Sequence, residues 1–233
     1  MCYSLKCIIF AVLIKKKMGY DIFESISQGK YGENAPQVGR MEEVADLLYR
    51  SCANHETKHG SGNSYGGSIY GEQSYVEKYA EEHDCWYPID DVFELGTPGP
   101  SGSENDTYVD KKGGIVYKTN NLIHTGSYYK LFKRLLVHND LFPQTAYVLV
   151  GFTGYKGRTV YPLLAQRYIE NAESAEQADI EKYMLSLGFS KIDDWTYKSS
   201  NIIISDLKPK NVLKDIEGDL YVIDAEIKCI SSL

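Results

Sequence analysis

The chain has 233 residues, 43% hydrophobic and 24% charged, the balance of an ordinary soluble globular protein with material for one sizeable core or two small ones. A formal net charge of −7 argues against a generic nucleic-acid binder, which would be basic, so no nucleic-acid partner is expected. The five cysteines form no CxxC pair and no disulfide or zinc spacing, and read as reduced thiols of a cytoplasmic protein.

Residues 1–90 read as a helical leader with a flexible Gly/Ser loop. The opening CIIFAVLIKKK has an apolar run far short of the roughly 20 residues that span a bilayer. Its lysines follow the run instead of preceding it, unlike a signal peptide. A short docked or disordered extension is expected, without stable membrane insertion, and both Met1 and Met18 stand as start sites. Next, RMEEVADLLYRSC puts Met41, Val44, Leu47 and Leu48 on one helical face, and EQSYVEKYAEEH does the same with Tyr75, Val76, Tyr79 and Ala80. Between them, NHETKHGSGNSYGGSIYG reads as a mobile loop. It holds His55-Glu56-x-x-His59, which on a stable helix binds zinc and sets a glutamate to activate water. Running into Gly and Ser, this pattern gives a zinc hydrolase only as a minor alternative.

Residues 91–165 read mostly as strand. DDVFELG predicts a short strand, and LGTPGPSGSENDTY a Gly-rich loop with Gly96, Gly99 and Gly102. A hairpin is predicted over TYVDKKGGIVYKT, turning at Lys111 to Gly114. A helix follows, with Tyr128, Leu131, Phe132, Leu135 and Leu136 at helical spacing and Lys130, Lys133 and Arg134 on its wet face. A second hairpin turns at Tyr155 to Gly157.

In residues 166–233, Ser174 with Gln177 suggests a capping box and Gly188 the end of the helix it opens. A further hairpin crosses Glu217 to Asp219. Trp86 and Trp195 are expected as packing anchors.

The chemistry concentrates in SDLKPKNVL, 205 to 213. Phosphoryl transfer needs a carboxylate for the attacking hydroxyl, oxygen ligands for Mg²⁺, a lysine for the phosphates and a Gly-rich turn over them. Asp206 is the candidate base, and Lys208 is placed to contact the transferring phosphate. Asn211 comes five residues after Asp206, the step found in H-R-D-x-x-x-x-N, and Asp224 ends the strand LYVID; these two are the candidate metal ligands. GGIVYK parallels the V-A-I-K strand and makes Lys118 the phosphate-pairing lysine. The Gly loop supplies Gly96, Gly102, Ser103 and Glu104 as cofactor-binding candidates. Tyr168 and Ile169, in YIEN after the second hairpin, sit where backbone groups would bond adenine.

Taken together, SGSENDTYVD, GGIVYKTNNL, LLVHNDLFPQTAYVLVGFTGYKGRTVYPLLAQRYI, YMLSLGF and SDLKPKNVLKDIEGDLYVIDAEIK resemble the kinase-like domain of bacterial polyvalent proteins, found in phages and conjugative elements. The resemblance implies an α+β, atypical minimal protein-kinase-like fold that binds Mg-ATP. Residues 91–165 would form a small antiparallel-sheet N-lobe with one helix, and residues 166–233 a reduced C-lobe with the catalytic hairpin. The partner is then a nucleotide, with an unknown protein or small-molecule acceptor. Three features depart from the ordinary kinase pattern. Ile204 and Ser205 stand where His and Arg would precede the base. DAE replaces DFG, which makes Glu226 a further metal candidate. The helix after Lys118 offers no glutamate, and Glu104 is the nearest substitute. Only 27 residues follow Asp206, so the usual peptide platform is not expected. A nucleotide-binding pseudokinase or interaction module is therefore the main alternative to an active phosphotransferase.

Overall fold

The computed structural model describes residues 39–56 and 69–230. The apolar run at 7–14, Met1 and Met18, and most of the H-E-x-x-H pattern, including His59, lie outside them. Among the described residues the architecture is mixed α and β with three sheets, divided into two compact units. Unit 1 takes in 39–136 and 147–168, and unit 2 takes in 137–146 and 169–230. No helix among the described residues is long and apolar enough to cross a membrane.

Unit 1 opens with helices α1 (Arg40–Glu56) and α2 (Ile69–Glu82). The faces read from the sequence are the buried ones: Met41, Val44 and Leu48 on α1, and Val76, Tyr79 and Ala80 on α2. Strand β1 (Trp86–Tyr87) and the short helix α3 (Ile89–Phe93) follow. DDVFELG is thus helical at its start and not a strand. Pro88 precedes the first turn, Asp90 and Asp91 occupy it, and carboxylates there suit the positive end of the helix dipole. Val92 and Leu95, one turn apart, are buried while Phe93 is exposed.

The sheet then builds through β2 (Thr97–Pro98), β3 (Asn105–Asp110), β4 (Ile115–Asn120), helix α4 (Tyr128–Leu141), β5 (Val148–Tyr155) and β6 (Thr159–Arg167). Its strand order is β1-β5-β6-β4-β3-β2. The β1–β5 pair is parallel and the other pairs are antiparallel. Both predicted hairpins form, as β3–β4 and β5–β6. One face packs Leu149, Phe152 and Leu164 with Leu48, Val76, Leu131 and Phe132 of the helices. The other packs Val150, Leu163, Ile115 and Tyr117 with Val92 and Leu95. Apolar cover on both faces explains the unbroken buried run in the middle of β5 and β6.

Two expectations about this unit change. The helices at 40–82 share its core, so a boundary at residue 90 falls inside unit 1. The sheet also carries α1 and α2 beside α4 on one face and α3 on the other, and not one helix. Helix α4 starts where the buried Glu72 carboxylate accepts bonds from the backbone N–H of Tyr128 (2.6 Å) and Tyr129 (3.3 Å) and from Ser127 Oγ (2.7 Å). A residue of α2 thereby satisfies donors that the first turn of α4 leaves unpaired. Trp86 packs against the helix-side core, as expected of an anchor, with Lys156 Nζ 5.0 Å from its ring centre.

Unit 2 contains β7 (Glu173–Ser174), helix α5 (Gln177–Ser186), β8 (Ser190–Asp193), β9 (Thr196–Ser199), β10 (Ile202–Ser205), β11 (Val212–Lys214), β12 (Leu220–Val222) and β13 (Glu226–Cys229). They form a four-stranded antiparallel sheet, β13-β10-β9-β8, and a three-stranded one, β12-β11-β7. The capping box at Ser174 does not form. Ser174 is a strand residue paired with Leu213, Ala175 N–H bonds to Val212 O at 2.8 Å, and α5 starts only at Gln177. Gly188 does end the helix, at φ +83°. Gly188 N–H bonds to Leu185 O (3.0 Å) and Phe189 N–H to Met184 O (3.1 Å), the paired bonds of a Schellman motif. Phe189 and Met184 both join the unit 2 core with Ile180, Tyr197, Ile204, Leu207 and Val222.

Candidate active site

The motif quoted from the sequence is a tight loop between β10 and β11. Strand β10 ends at Ser205, which pairs with Glu226 across β13. The chain then turns at Asp206 with φ +62°, a left-handed conformation that Asp tolerates better than most residues with a Cβ. Such strain gathers where function fixes a side chain's direction. The next residues hold the turn. Leu207 is fully buried and its N–H bonds to Trp195 O at 3.1 Å, while Lys208 N–H returns to Asp206 O at 2.8 Å. Pro209 then starts a 3₁₀ turn, Pro209–Asn211, closed by the bond from Asn211 N–H to Lys208 O at 2.8 Å.

Three side chains meet in this loop. Lys208 Nζ lies 2.6 Å from Asp206 Oδ1. Asn211 Nδ2 donates to Asp206 Oδ2 at 2.9 Å and to the Asp206 backbone oxygen at 2.7 Å. The hydrogen bond and charge of Asp206 raise the Lys208 pKa above its ordinary value, with a smaller contribution from the charge of Glu226. The Asn211 side chain is buried, whereas Asp206 and Lys208 stay substantially open to solvent. Asn211 also ties in the next motif, since its backbone oxygen accepts from Ile223 N–H (3.0 Å) and Asp224 N–H (3.4 Å). The loop carrying Asp206 and the strand end carrying Asp224 are thus joined through one residue.

The donor chemistry fits a divalent cation. Both amide hydrogens of Asn211 are committed to Asp206, which leaves its side-chain oxygen for a ligand. That oxygen and the Asp224 carboxylate are the hard donors Mg²⁺ prefers. Glu226 stands on β13 opposite Ser205. Among the described residues, the three carboxylates within 4.8 Å of one another are Asp215, Glu217 and Asp219, in the β11–β12 turn. Asp206, Asp224 and Glu226 do not form such a group. A cavity of about 560 Å³ in unit 2 lies against α5, the β11–β12 turn and Phe142 to Thr145, and includes none of Asp206, Lys208, Asn211 and Asp224.

The remaining candidates belong to unit 1, apart from Ile169. Lys118 stands on β4 opposite Thr107 of β3 and Leu164 of β6, and is buried. Its Nζ donates to Tyr147 Oη at 3.1 Å and lies 4.8 Å from that ring's centre. Glu104, proposed as its carboxylate partner, is instead held by Arg134, whose Nη2 reaches both carboxylate oxygens at 2.8 and 2.9 Å. Arg134 is therefore no wet-face residue: both side chains of this pair are about 11% exposed.

Ser103 Oγ lies 2.9 Å from His124 Nε2, and Gly102 N–H bonds to Asn105 O at 2.9 Å. Gly96 has a packing reason to be glycine, because a Cβ there would come within 2.5 Å of the Val109 backbone. A Cβ at Gly102 would meet open space. Tyr168 N–H bonds to Gly114 O at 2.8 Å, and Ile169, which is buried, begins the second stretch of unit 2.

Two residues escaped the sequence reading. Arg134 lies three after Leu131 and directly before Leu135, at the border of the apolar face, and that spacing was the available signal. Tyr147 had none, since an aromatic at the start of an apolar strand reads as core.

A family model described as Serine/Threonine/Tyrosine Kinase found in polyvalent proteins matches residues 70–231. No curated protein matches the chain, and no solved structure does.

Proposed function

The chain belongs to the family of Ser/Thr/Tyr kinases found in polyvalent proteins, and from that premise we propose that it is a Mg-ATP-dependent phosphotransferase acting through the loop at Asp206. Membership suggests a phosphotransferase and implies ATP use and a nucleotide partner. The observation that carries the finer reading is the fixed carboxylate of Asp206, gripped by Lys208 at 2.6 Å and Asn211 at 2.9 Å on a left-handed turn.

In this reading Asp206 accepts a hydrogen bond from the acceptor hydroxyl and takes its proton as the bond to phosphorus forms. Lys208 fixes the Asp206 carboxylate through the 2.6 Å contact and offers its charge to the phosphoryl oxygens. Asn211 and Asp224 would hold Mg²⁺, which when bound neutralises charge on the nucleotide phosphates. Lys118, oriented by Tyr147, pairs with those phosphates. Gly96, Gly102, Ser103 and Glu104 shape the loop that covers them, and the backbone at Tyr168 and Ile169 bonds the adenine. Unit 1 acts as the N-lobe and unit 2 as the reduced C-lobe, in a cytoplasmic setting.

The test follows γ-phosphate from labelled ATP, with Mg²⁺, to the protein itself, to added hydroxyl compounds and to water. Turnover in the wild type that is lost in Asp206→Asn, with nucleotide binding kept, supports the reading. Binding without turnover in both proteins makes the chain a nucleotide-binding module, and absence of binding removes the proposal.

A further inference from the structure

Arg134 has no part in the roles just assigned, yet its pair with Glu104 is the most buried ion pair between described side chains. Removing two charges from water is costly, and well-packed apolar residues of similar size often serve stability as well or better. A pair kept under those terms is better explained by the geometry it fixes. That geometry is specific. One guanidinium nitrogen spans both oxygens of a carboxylate at the end of the Gly-rich loop. Arg134 Nε is buried and has no hydrogen-bond partner, so the side chain is set for Glu104 and not for the best bonding of its own donors.

The loop's backbone is anchored at the same point. Glu104 O accepts from Asn121 N–H at 2.9 Å, and Ser103 O accepts from Asn121 Nδ2 at 2.7 Å. Asn121 follows the last residue of β4, the strand that carries Lys118. Glu104 therefore ends the loop with its backbone tied to the β4 end and its side chain tied to α4.

We propose that Arg134 is a positioning residue, which by gripping Glu104 locks the end of the 96–104 loop between β4 and α4 so that the loop meets the nucleotide phosphates in register with Lys118. The inference rests on the phosphotransferase reading above. It gives the loop a basic residue from the helix and an acidic residue from the loop, where the ordinary arrangement has a helix glutamate paired with the strand lysine.

The experiment measures KM for ATP, kcat and thermal unfolding in Arg134→Met, Glu104→Met, the double methionine variant and the charge-swapped Arg134→Glu/Glu104→Arg. The double methionine variant removes both charges and keeps side-chain bulk, so its fold is expected to survive. Its KM for ATP is expected to rise about tenfold, the effect of losing one charge-assisted contact's worth of order, with kcat changed much less. The charge swap is expected to recover a large part of that loss, and a rise in KM without a matching fall in kcat or in melting is what a merely structural role would not produce. A double methionine variant with wild-type KM and unchanged melting overturns the inference while leaving the phosphotransferase reading in place. A wild type that neither binds nor turns over Mg-ATP overturns both.

Discussion

The side-chain amide of Asn211 donates twice to Asp206, at 2.9 Å to its carboxylate and at 2.7 Å to its backbone oxygen. They lie five positions apart in the chain, and the 3₁₀ turn opened by Pro209 brings them back together. The buried amide thus holds both the backbone turn and the direction of the carboxylate. Asn211→Ala is expected to leave two acceptors on Asp206 short of a partner, lowering stability by about 1–3 kcal/mol. Turnover is expected to fall by about a hundredfold through misplacement of Asp206. Urea unfolding and steady-state kinetics on one preparation check the two effects separately.

Lys208 gives a pH prediction whose sign follows from its shift. Hydrogen bonding to Asp206 raises its pKa above the ordinary 10.5. The contact is therefore complete below 10.5 and is lost only as pH climbs through the raised value. A pH–rate profile is expected to show no alkaline loss from this group between neutrality and 10.5. Lys208→Met is expected to lower the plateau while leaving its alkaline side below 10.5 unchanged. A basic limb near neutral pH that disappears in Lys208→Met would contradict this.

Glu72 caps α4 from another helix. Its carboxylate serves the backbone N–H of Tyr128 and Tyr129 and the hydroxyl of Ser127, and it is buried. Glu72→Ala is expected to cost about 2 kcal/mol, the upper range of a lost cap with its charge–dipole term. Glu72→Gln, which keeps an acceptor oxygen, is expected to cost less. Denaturant midpoints at constant slope check the order.

Gly96 and Gly102 sit in the same loop and are expected to respond in opposite ways. A methyl at Gly96 meets the Val109 backbone at 2.5 Å, so Gly96→Ala is expected to lower stability by about 1–3 kcal/mol or more. At Gly102 it meets nothing within 4 Å. Gly102→Ala is expected to melt like the wild type, and to weaken ATP binding if the loop closes on phosphates. Paired melting and binding curves check both.

The sequence made the periodic parts legible. Met41, Val44 and Leu48 mark a buried face by spacing alone, Lys111 to Gly114 marks a turn, and Gly188 marks a helix end. The site's residue types and intervals were equally readable, because Asp206, Lys208 and Asn211 stand within six positions of one another. What stayed hidden depends on distant partners. The start of DDVFELG became a helix too short to show a period, after a strand that pairs with Phe152 and Thr153 far along the chain. Ser174 carried a sound local capping signal, overruled by its pairing with Leu213. Arg134 looked solvated because Glu104, thirty positions earlier, lies in what read as a loose loop. The left-handed turn at Asp206 is a dihedral fact that no composition displays.

Calorimetric titration of the protein with ATP in the presence and absence of Mg²⁺, repeated on Asp224→Ala, tests the central claim most directly. Asp224 is held beside the Asp206 loop by its N–H to Asn211 O, and alanine keeps that backbone bond while removing the carboxylate. The account expects saturable binding by the wild type that strengthens with Mg²⁺, and loss of that Mg²⁺ dependence in the variant. Absence of ATP binding by the wild type, or equal Mg²⁺-dependent binding by the two proteins, would contradict it.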